Sequence, residues 1–177
     1  MTEESRGEDS SRKIGVVMVV AMWLVVLGLL TAFFTQWQEK QLNPNRTLHI
    51  SDNENGVREV VLQRNRYGHY VATGAINDMP VVFMLDTGAT DISVPQGIAD
   101  QLGLEPGPAV YYETANGDAK AFMTRLGRVS LGAISLQGVR AHINPNYHAD
   151  EVLLGMTFLK HLEFTQQGDK LTLRQYP

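Results

Sequence analysis

The chain has 177 residues, enough for one globular domain with short additional segments. Its formal net charge of −4 gives no indication of the basic face that nucleic-acid binding requires. The absence of cysteine excludes a disulfide framework and a thiolate metal site, and we expect no cofactor.

The N-terminal region divides into a polar tail and an apolar segment. Residues 1–13 are polar and charged, and we expect this tail to be disordered. Residues 14–34 carry no charge, and about 21 residues in a helix match the ~30 Å hydrocarbon core of a bilayer. Arg12 and Lys13 precede this segment. The positive-inside rule then predicts a cytoplasmic N-terminus at the inner (plasma) membrane, with the rest of the chain periplasmic or extracytoplasmic.

Three interpretations of residues 14–34 compete. We favour an uncleaved transmembrane helix in contact with membrane lipid. A cleaved signal peptide would have a shorter apolar core, followed by a small-residue cleavage site. A buried helix of a soluble protein is the least favoured interpretation, since it would be apolar on every face.

The pattern becomes β-like after a polar segment at residues 35–56, which is predicted to be a linker. Residues 57–177 are predicted to form one domain. Its first strands are expected at Val57–Leu62, Tyr70–Ile76 and Pro80–Leu85. The later predicted elements are a short helix near residues 98–102, hairpins over 109–123 and 128–143, a strand at 151–154, a helix at 156–162 and two C-terminal strands.

The strand Pro80–Leu85 leads into Asp86, Thr87 and Gly88. Desolvation disfavours a charged carboxylate, so a chain places one at the end of an apolar strand when the group is hydrogen-bonded or its altered pKa is used. An Asp-Thr-Gly tripeptide also occurs by chance at ordinary strand-to-loop exits. Its apolar approach and the Ala89-Thr90 pair after it make the pattern more specific.

The segment Leu85–Thr90 resembles the active-site motif of aspartic proteases. A single copy in a short chain is similar to the retropepsin-like branch (clan AA), in which two protomers each contribute one aspartate. Leu153, Leu154 and Gly155 resemble the apolar-apolar-Gly motif of that family. Together with the N-terminal apolar segment, the pattern resembles bacterial single-pass membrane-anchored members.

The resemblance implies an all-β fold: a closed β-barrel or sandwich with one or two short helices, preceded by one transmembrane helix. It implies an aspartic endopeptidase whose catalytic dyad is Asp86 and its copy in a homodimer, acting on a peptide or protein substrate. Thr87 would brace the two loops across the dimer and Gly88 would let substrate approach, with Ala89 and Thr90 completing the loop.

The same resemblance implies a flap, a hairpin that closes over the substrate. The segment around Tyr112–Lys120 lies where the flap is expected, and Asn116-Gly117 is a two-residue turn signal. The implied substrate-contacting residues are Tyr112, Thr114, Ala115, Asn116 and Gly117. An ordinary surface hairpin is the alternative.

The sequence departs from retroviral members of the family at two positions. They have an aspartate two residues after the motif glycine, paired with an arginine after the apolar-apolar-Gly motif, whereas Thr90 and Met156 stand here. Ala89 stands where pepsin-like enzymes have a hydroxyl residue that stabilises the carboxylate charge. We therefore expect activity to extend toward mildly acidic or neutral pH.

Two other functions remain open on the sequence alone. A catalytically inactive, membrane-tethered relative would bind a peptide or protein in the same groove. A structural β-barrel with a coincidental Asp-Thr-Gly would be a monomer without a cleft.

Asp91 could contact substrate or cap the following helix, and capping is favoured slightly. The histidines lack the close spacing of metal ligands, so no metal is expected: His49, His69, His142, His148 and His161.

Overall fold

The computed structural model describes residues 4–48, 50–52, 56–114 and 117–177. Side chains are described from Gly15 onward, except at residues 49–55 and 112–119. The chain separates into two compact units, Met1–Lys40 and Gln41–Pro177.

A single helix, α1 (Glu4–Leu42), accounts for the first unit and ends just inside the second. It begins ten residues before the apolar segment, so the expectation of a disordered tail is wrong for residues 4–13. Extending an existing helix is far easier than nucleating one, which explains the continuation. Its Gly15–Leu42 part is long and apolar enough to cross a membrane, with a mean hydropathy of 2.7 over an 18-residue window, although a signal sequence meets the same criterion.

The second unit is mainly β-structure with two short helices, α2 (Gln96–Gln101) and α3 (Met156–Leu159). Its strands, in chain order, are β1 (Ile50–Asp52), β2 (Arg58–Gln63), β3 (Val71–Ile76), β4 (Met79–Leu85), β5 (Ile92–Pro95), β6 (Ala109–Thr114), β7 (Gly117–Leu131), β8 (Ile134–Asn144), β9 (Val152–Leu154), β10 (Glu163–Gln167) and β11 (Lys170–Gln175).

The strands form a closed barrel and a smaller sheet. The barrel order is β3-β4-β9-β5-β8-β7, and pairing of β3 with β7 at Ala75–Ser130 and Ile76–Val129 closes it. Strand β6 pairs with the first half of β7. The smaller sheet has the order β1-β2-β11-β10. The expected all-β fold with a closed barrel and two short helices is confirmed.

The barrel core follows from strand alternation. In β4, Val81 and Phe83 are buried, while Val82 between them and Met84 after them are half-exposed. All four residues of β5 are buried, and this strand lies between β9 and β8 in the barrel. Phe158 of α3 is also fully buried, so the segment after Gly155 is anchored in the same core as β4.

The polar segment predicted as a linker is partly structured. Asn45 is 5% exposed, and its Nδ2 donates to the carbonyl oxygens of Gln63 at 2.8 Å and Val71 at 2.7 Å. Its Oδ1 accepts the Gln63 N–H at 2.7 Å. Strand β1 pairs with β2. Part of the segment expected to be a linker, residues 35–56, therefore belongs to the folded domain. Its polar composition is explained in part by side chains that hydrogen-bond to backbone groups of that domain.

Candidate active site

The Asp-Thr-Gly loop follows β4 at a place where three strands meet. Strand β9 lies between β4 and β5, parallel to the first and antiparallel to the second, with Leu154 opposite Leu85 and Leu153 opposite Ser93. The Asp86 N–H donates to the Leu154 carbonyl oxygen at 3.2 Å. The backbone of Asp86 is therefore fixed by the strand that carries the apolar-apolar-Gly motif.

The Asp86 side chain is held by its own loop. The Gly88 N–H donates to Asp86 Oδ1 at 2.8 Å, and the Ala89 N–H donates to the Asp86 carbonyl oxygen at 3.3 Å. These bonds make an Asx-type turn that orients the carboxylate. Asp86 is half-buried, whereas Thr87 and Gly88 are exposed, so the loop presents its carboxylate and its hydroxyl residue at the surface of the isolated chain.

Gly155 sits where two backbone segments cross. A Cβ there would lie 2.6 Å from the Ala89 carbonyl oxygen and in still closer contact with that of Asp91. Beyond it, the Met156 N–H donates to the Ala89 carbonyl oxygen at 2.8 Å and the Thr157 N–H to that of Thr90 at 3.0 Å. The glycine is therefore a steric requirement of the loop, since only a residue without Cβ allows this approach.

Asp91 has a role that the sequence did not indicate. Its carboxylate is buried and accepts hydrogen bonds from Arg140 Nε at 3.0 Å and Nη2 at 2.8 Å. Helix α2 begins after Pro95 without a side-chain cap. The expectation that Asp91 caps this helix is wrong, because the carboxylate is used by an ion pair with β8 instead.

A cavity of about 340 Å³ opens beside the loop. It connects Asp86 and Thr87 with strand β10 of the smaller sheet and with aliphatic side chains beneath it. Its lining residues are Tyr70, Leu85, Asp86, Thr87, Leu159, Phe164, Gln166, Leu171 and Leu173.

The hairpin predicted as the flap is formed by β6 and β7. Tyr112 is in register with Ala119, and Thr114 with Gly117. Gly117 therefore belongs to a strand and not to the predicted Asn116-Gly117 turn. The proposed tip residues Ala115 and Asn116 lie outside the described residues.

Sequence reasoning missed Tyr147, which lies in the loop between β8 and β9. It is half-buried, and burial raises the pKa of its phenol, as do the charges of Glu151 and Asp86. The phenol is therefore within electrostatic range of the candidate catalytic carboxylate. The signal in the sequence was weak: a tyrosine in a Pro/Asn loop just before the apolar-apolar-Gly motif.

Comparison with known proteins agrees with this geometry. Residues 72–161 match the model of a family described as "gag-polyprotein putative aspartyl protease". An uncharacterized protein from the cobV 5′ region of Sinorhizobium sp. is 34% identical over 168 residues, covering 88% of this chain and 72% of the relative. An uncharacterized protein of Rickettsia prowazekii (strain Madrid E) is 32% identical over 123 residues, 68% of this chain and 52% of the relative.

Among solved structures, the crystal structure of a retropepsin-like aspartic protease from Rickettsia conorii superposes with a TM-score of 0.55 at 28% identity, covering 73% of this chain and 95% of that one. The barrel and the loop that it presents thus define a retropepsin-like aspartic protease fold. The chain belongs to the gag-polyprotein aspartyl protease family.

Proposed function

We propose that the chain is a single-pass membrane-anchored aspartic endopeptidase that is active as a homodimer. The observation that carries the proposal is the placement of Asp86: its backbone is bonded to Leu154, its carboxylate is oriented by the Gly88 N–H, and the group remains accessible beside a cavity. The family to which the chain belongs supports the same reaction class.

The chemistry requires a second carboxylate, which a second copy of the chain would supply. Peptide hydrolysis needs a general base and a general acid in one site. Two carboxylates held close together cannot easily both ionise, so they share one proton and titrate as a pair. The ionised Asp86 would take a proton from the attacking water, while the protonated copy would donate to the carbonyl oxygen of the scissile bond.

The exposed loop and the β6–β7 hairpin support this arrangement. Thr87 and Gly88 are exposed, as a dimer joined across the loops requires. The hairpin would act as the flap, with substrate contacts at Tyr112, Thr114, Ala115, Asn116 and Gly117. The α1 helix would anchor each protomer, with an uncleaved span, a cytoplasmic N-terminus and the protease domain outside the cytoplasm. Sharing a membrane raises the effective concentration of the two protomers.

The proposal is tested with the full-length chain in detergent micelles and an unfolded protein as substrate, from about pH 2 to pH 8. Wild type is compared with Asp86→Asn, which keeps the size of the side chain but removes the ionisable group. Asp100→Asn is the matched control, because Asp100 is exposed on α2. We expect wild type and the control to cleave, Asp86→Asn to be inactive, and the activity of wild type to extend above about pH 5 because Ala89 contributes no hydroxyl bond to the carboxylate.

Equal cleavage by wild type and Asp86→Asn would contradict the assignment of Asp86. Binding of unfolded peptide without turnover by any variant would favour the alternative, a catalytically inactive membrane-tethered module of the same fold that binds peptides or proteins. A pH–rate profile confined below about pH 3 would contradict the role given to Ala89.

A further inference from the structure

The start of β9 presents side chains on the face opposite the core. Val152 and Leu154 are fully buried, so strand alternation places Leu153 on the other face; Glu151, the residue directly before β9, precedes it by two positions, and both are half-buried. Leu153 is in register with Met84 of β4, two residues before Asp86. This face therefore leads from the Glu151 carboxylate across apolar side chains toward the Asp86 loop.

Tyr147 lies near both ends of this face, the Glu151 carboxylate and the Asp86 loop. Its position is set by a tight turn, in which the Asn146 N–H donates to Asn144 Oδ1 at 3.0 Å and the Tyr147 N–H donates to the Asn144 carbonyl oxygen at 3.3 Å. Burial, and then the charges of Glu151 and Asp86, raise the pKa of the Tyr147 phenol. A half-buried aromatic side chain thus accompanies the two carboxylates.

The Glu151 carboxylate makes no hydrogen bond or ion pair with any residue in the described part of the chain. It is half-buried, whereas its neighbours His148 and Asp150 are exposed. Because the Glu151 carboxylate has no such partner in the described part of the chain, a cation brought by a ligand would form an ion pair there without displacing another group.

We propose that this face is a subsite for a lysine or arginine side chain of the substrate, with Glu151 as the specificity-determining residue. The inference rests on the proposed function because it requires that a peptide binds beside Asp86. The aliphatic stem of the substrate side chain would pack on Met84, Leu153 and the ring of Tyr147, while its charged end would reach Glu151. In a dimer with two-fold symmetry, one copy of the subsite lies on each side of the scissile bond.

The test uses two peptides that carry a reduced amide in place of the scissile bond and therefore cannot be cleaved. They differ only in having lysine or norleucine on both sides of that bond. Equilibrium binding to the full-length chain in detergent is measured by fluorescence anisotropy for wild type, Glu151→Gln and Asp150→Asn. The last is the matched control, since it removes the same charge from the exposed neighbouring residue.

We expect wild type and Asp150→Asn to bind the lysine peptide about tenfold more tightly than the norleucine peptide, and Glu151→Gln to bind the two about equally. Equal binding by wild type, a preference that survives in Glu151→Gln, or binding of neither peptide would overturn the subsite. Because binding needs no turnover, a lysine preference in a chain that cleaves nothing would leave the subsite in place and remove only the proposed endopeptidase activity.

Discussion

The Arg140 guanidinium donates two hydrogen bonds to one oxygen of the Asp91 carboxylate, at 3.0 and 2.8 Å. The Asp91 side chain is 4% exposed, whereas that of Arg140 is 53% exposed. This ion pair therefore ties Asp91, the residue just after the Asp86 loop, to Arg140 of strand β8, 49 positions later in the chain.

Arg140→Met is expected to destabilise the domain by about 1–3 kcal/mol, because it leaves the buried Asp91 carboxylate without this cation. The half-exposure of Arg140 keeps the value below that of a fully buried pair. Denaturant unfolding measures the change. Arg128→Met is the control: its pair with Asp78 is exposed on both sides, so a loss below about 0.5 kcal/mol is expected. Similar losses for both variants would contradict a structural role specific to Asp91.

Gly155→Ala is expected to destabilise the domain by several kcal/mol or to prevent folding, because the new methyl group would collide with backbone at Ala89 and Asp91. Thermal unfolding and expression level measure the effect. Gly97→Ala provides the contrast, since a Cβ at this position in α2 meets nothing within 4 Å and alanine is favoured in helices. A Gly155→Ala protein with wild-type stability would contradict the close approach of the Ala89 and Asp91 backbone to Gly155.

Features set by residues close in sequence were predictable. The apolar run before Asp86 predicted β4 and the loop after it, and the Gly-containing motif at Gly155 was identified before its steric reason was known. The hairpin that joins β7 to β8 was also predicted, over residues 128–143. In each case the pattern and the structural element occupy the same short stretch of chain.

Features that join distant residues were not predictable. Asp91 and Arg140 are 49 positions apart, and Asn45 bonds to Gln63 and Val71, which are 18 and 26 positions away. A polar residue that bonds to a distant backbone has the same local appearance as a linker residue or a helix cap. Tyr147 was missed for the same reason, because only the folded loop brings it near Asp86.

His142 is expected to make the domain less stable in mild acid. Burial lowers the pKa of this imidazole below its ordinary value of 6.5, an effect that the nearby Asp91 carboxylate partly opposes. Below about pH 6.5 the unfolded chain therefore takes up a proton that the folded chain does not, so stability falls until the folded His142 is itself protonated. Denaturant unfolding of wild type and His142→Gln from pH 7.5 down to about 4.5 should show a shallower pH dependence in the variant.

The control for this experiment is His148→Gln, since His148 is exposed. Its pH dependence should match that of wild type. A His142→Gln variant that keeps the slope of wild type would assign the acid sensitivity to the carboxylates of the domain.

Strand β10 is the expected contact between protomers in the proposed dimer. It is an edge strand of the smaller sheet, all its residues are exposed, and Phe164 is 46% exposed beside the cavity that reaches Asp86 and Thr87. An exposed edge with an apolar side chain is a surface that a second chain can cover. Phe164→Asp would bring two like charges together in a symmetric contact and should weaken dimerisation.

Sedimentation of the full-length chain in detergent should therefore show a larger monomer fraction for Phe164→Asp than for wild type. Its activity per protomer should fall about tenfold or more at low protein concentration and recover as the concentration rises, because the dyad forms only in the dimer. Tyr67→Asp introduces the same charge at a tyrosine that is 59% exposed in the β2–β3 loop, and it should leave both measurements unchanged. A Phe164→Asp protein that sediments as wild type would place the dimer contact elsewhere, whereas a concentration-independent loss of activity would indicate damage to the site itself.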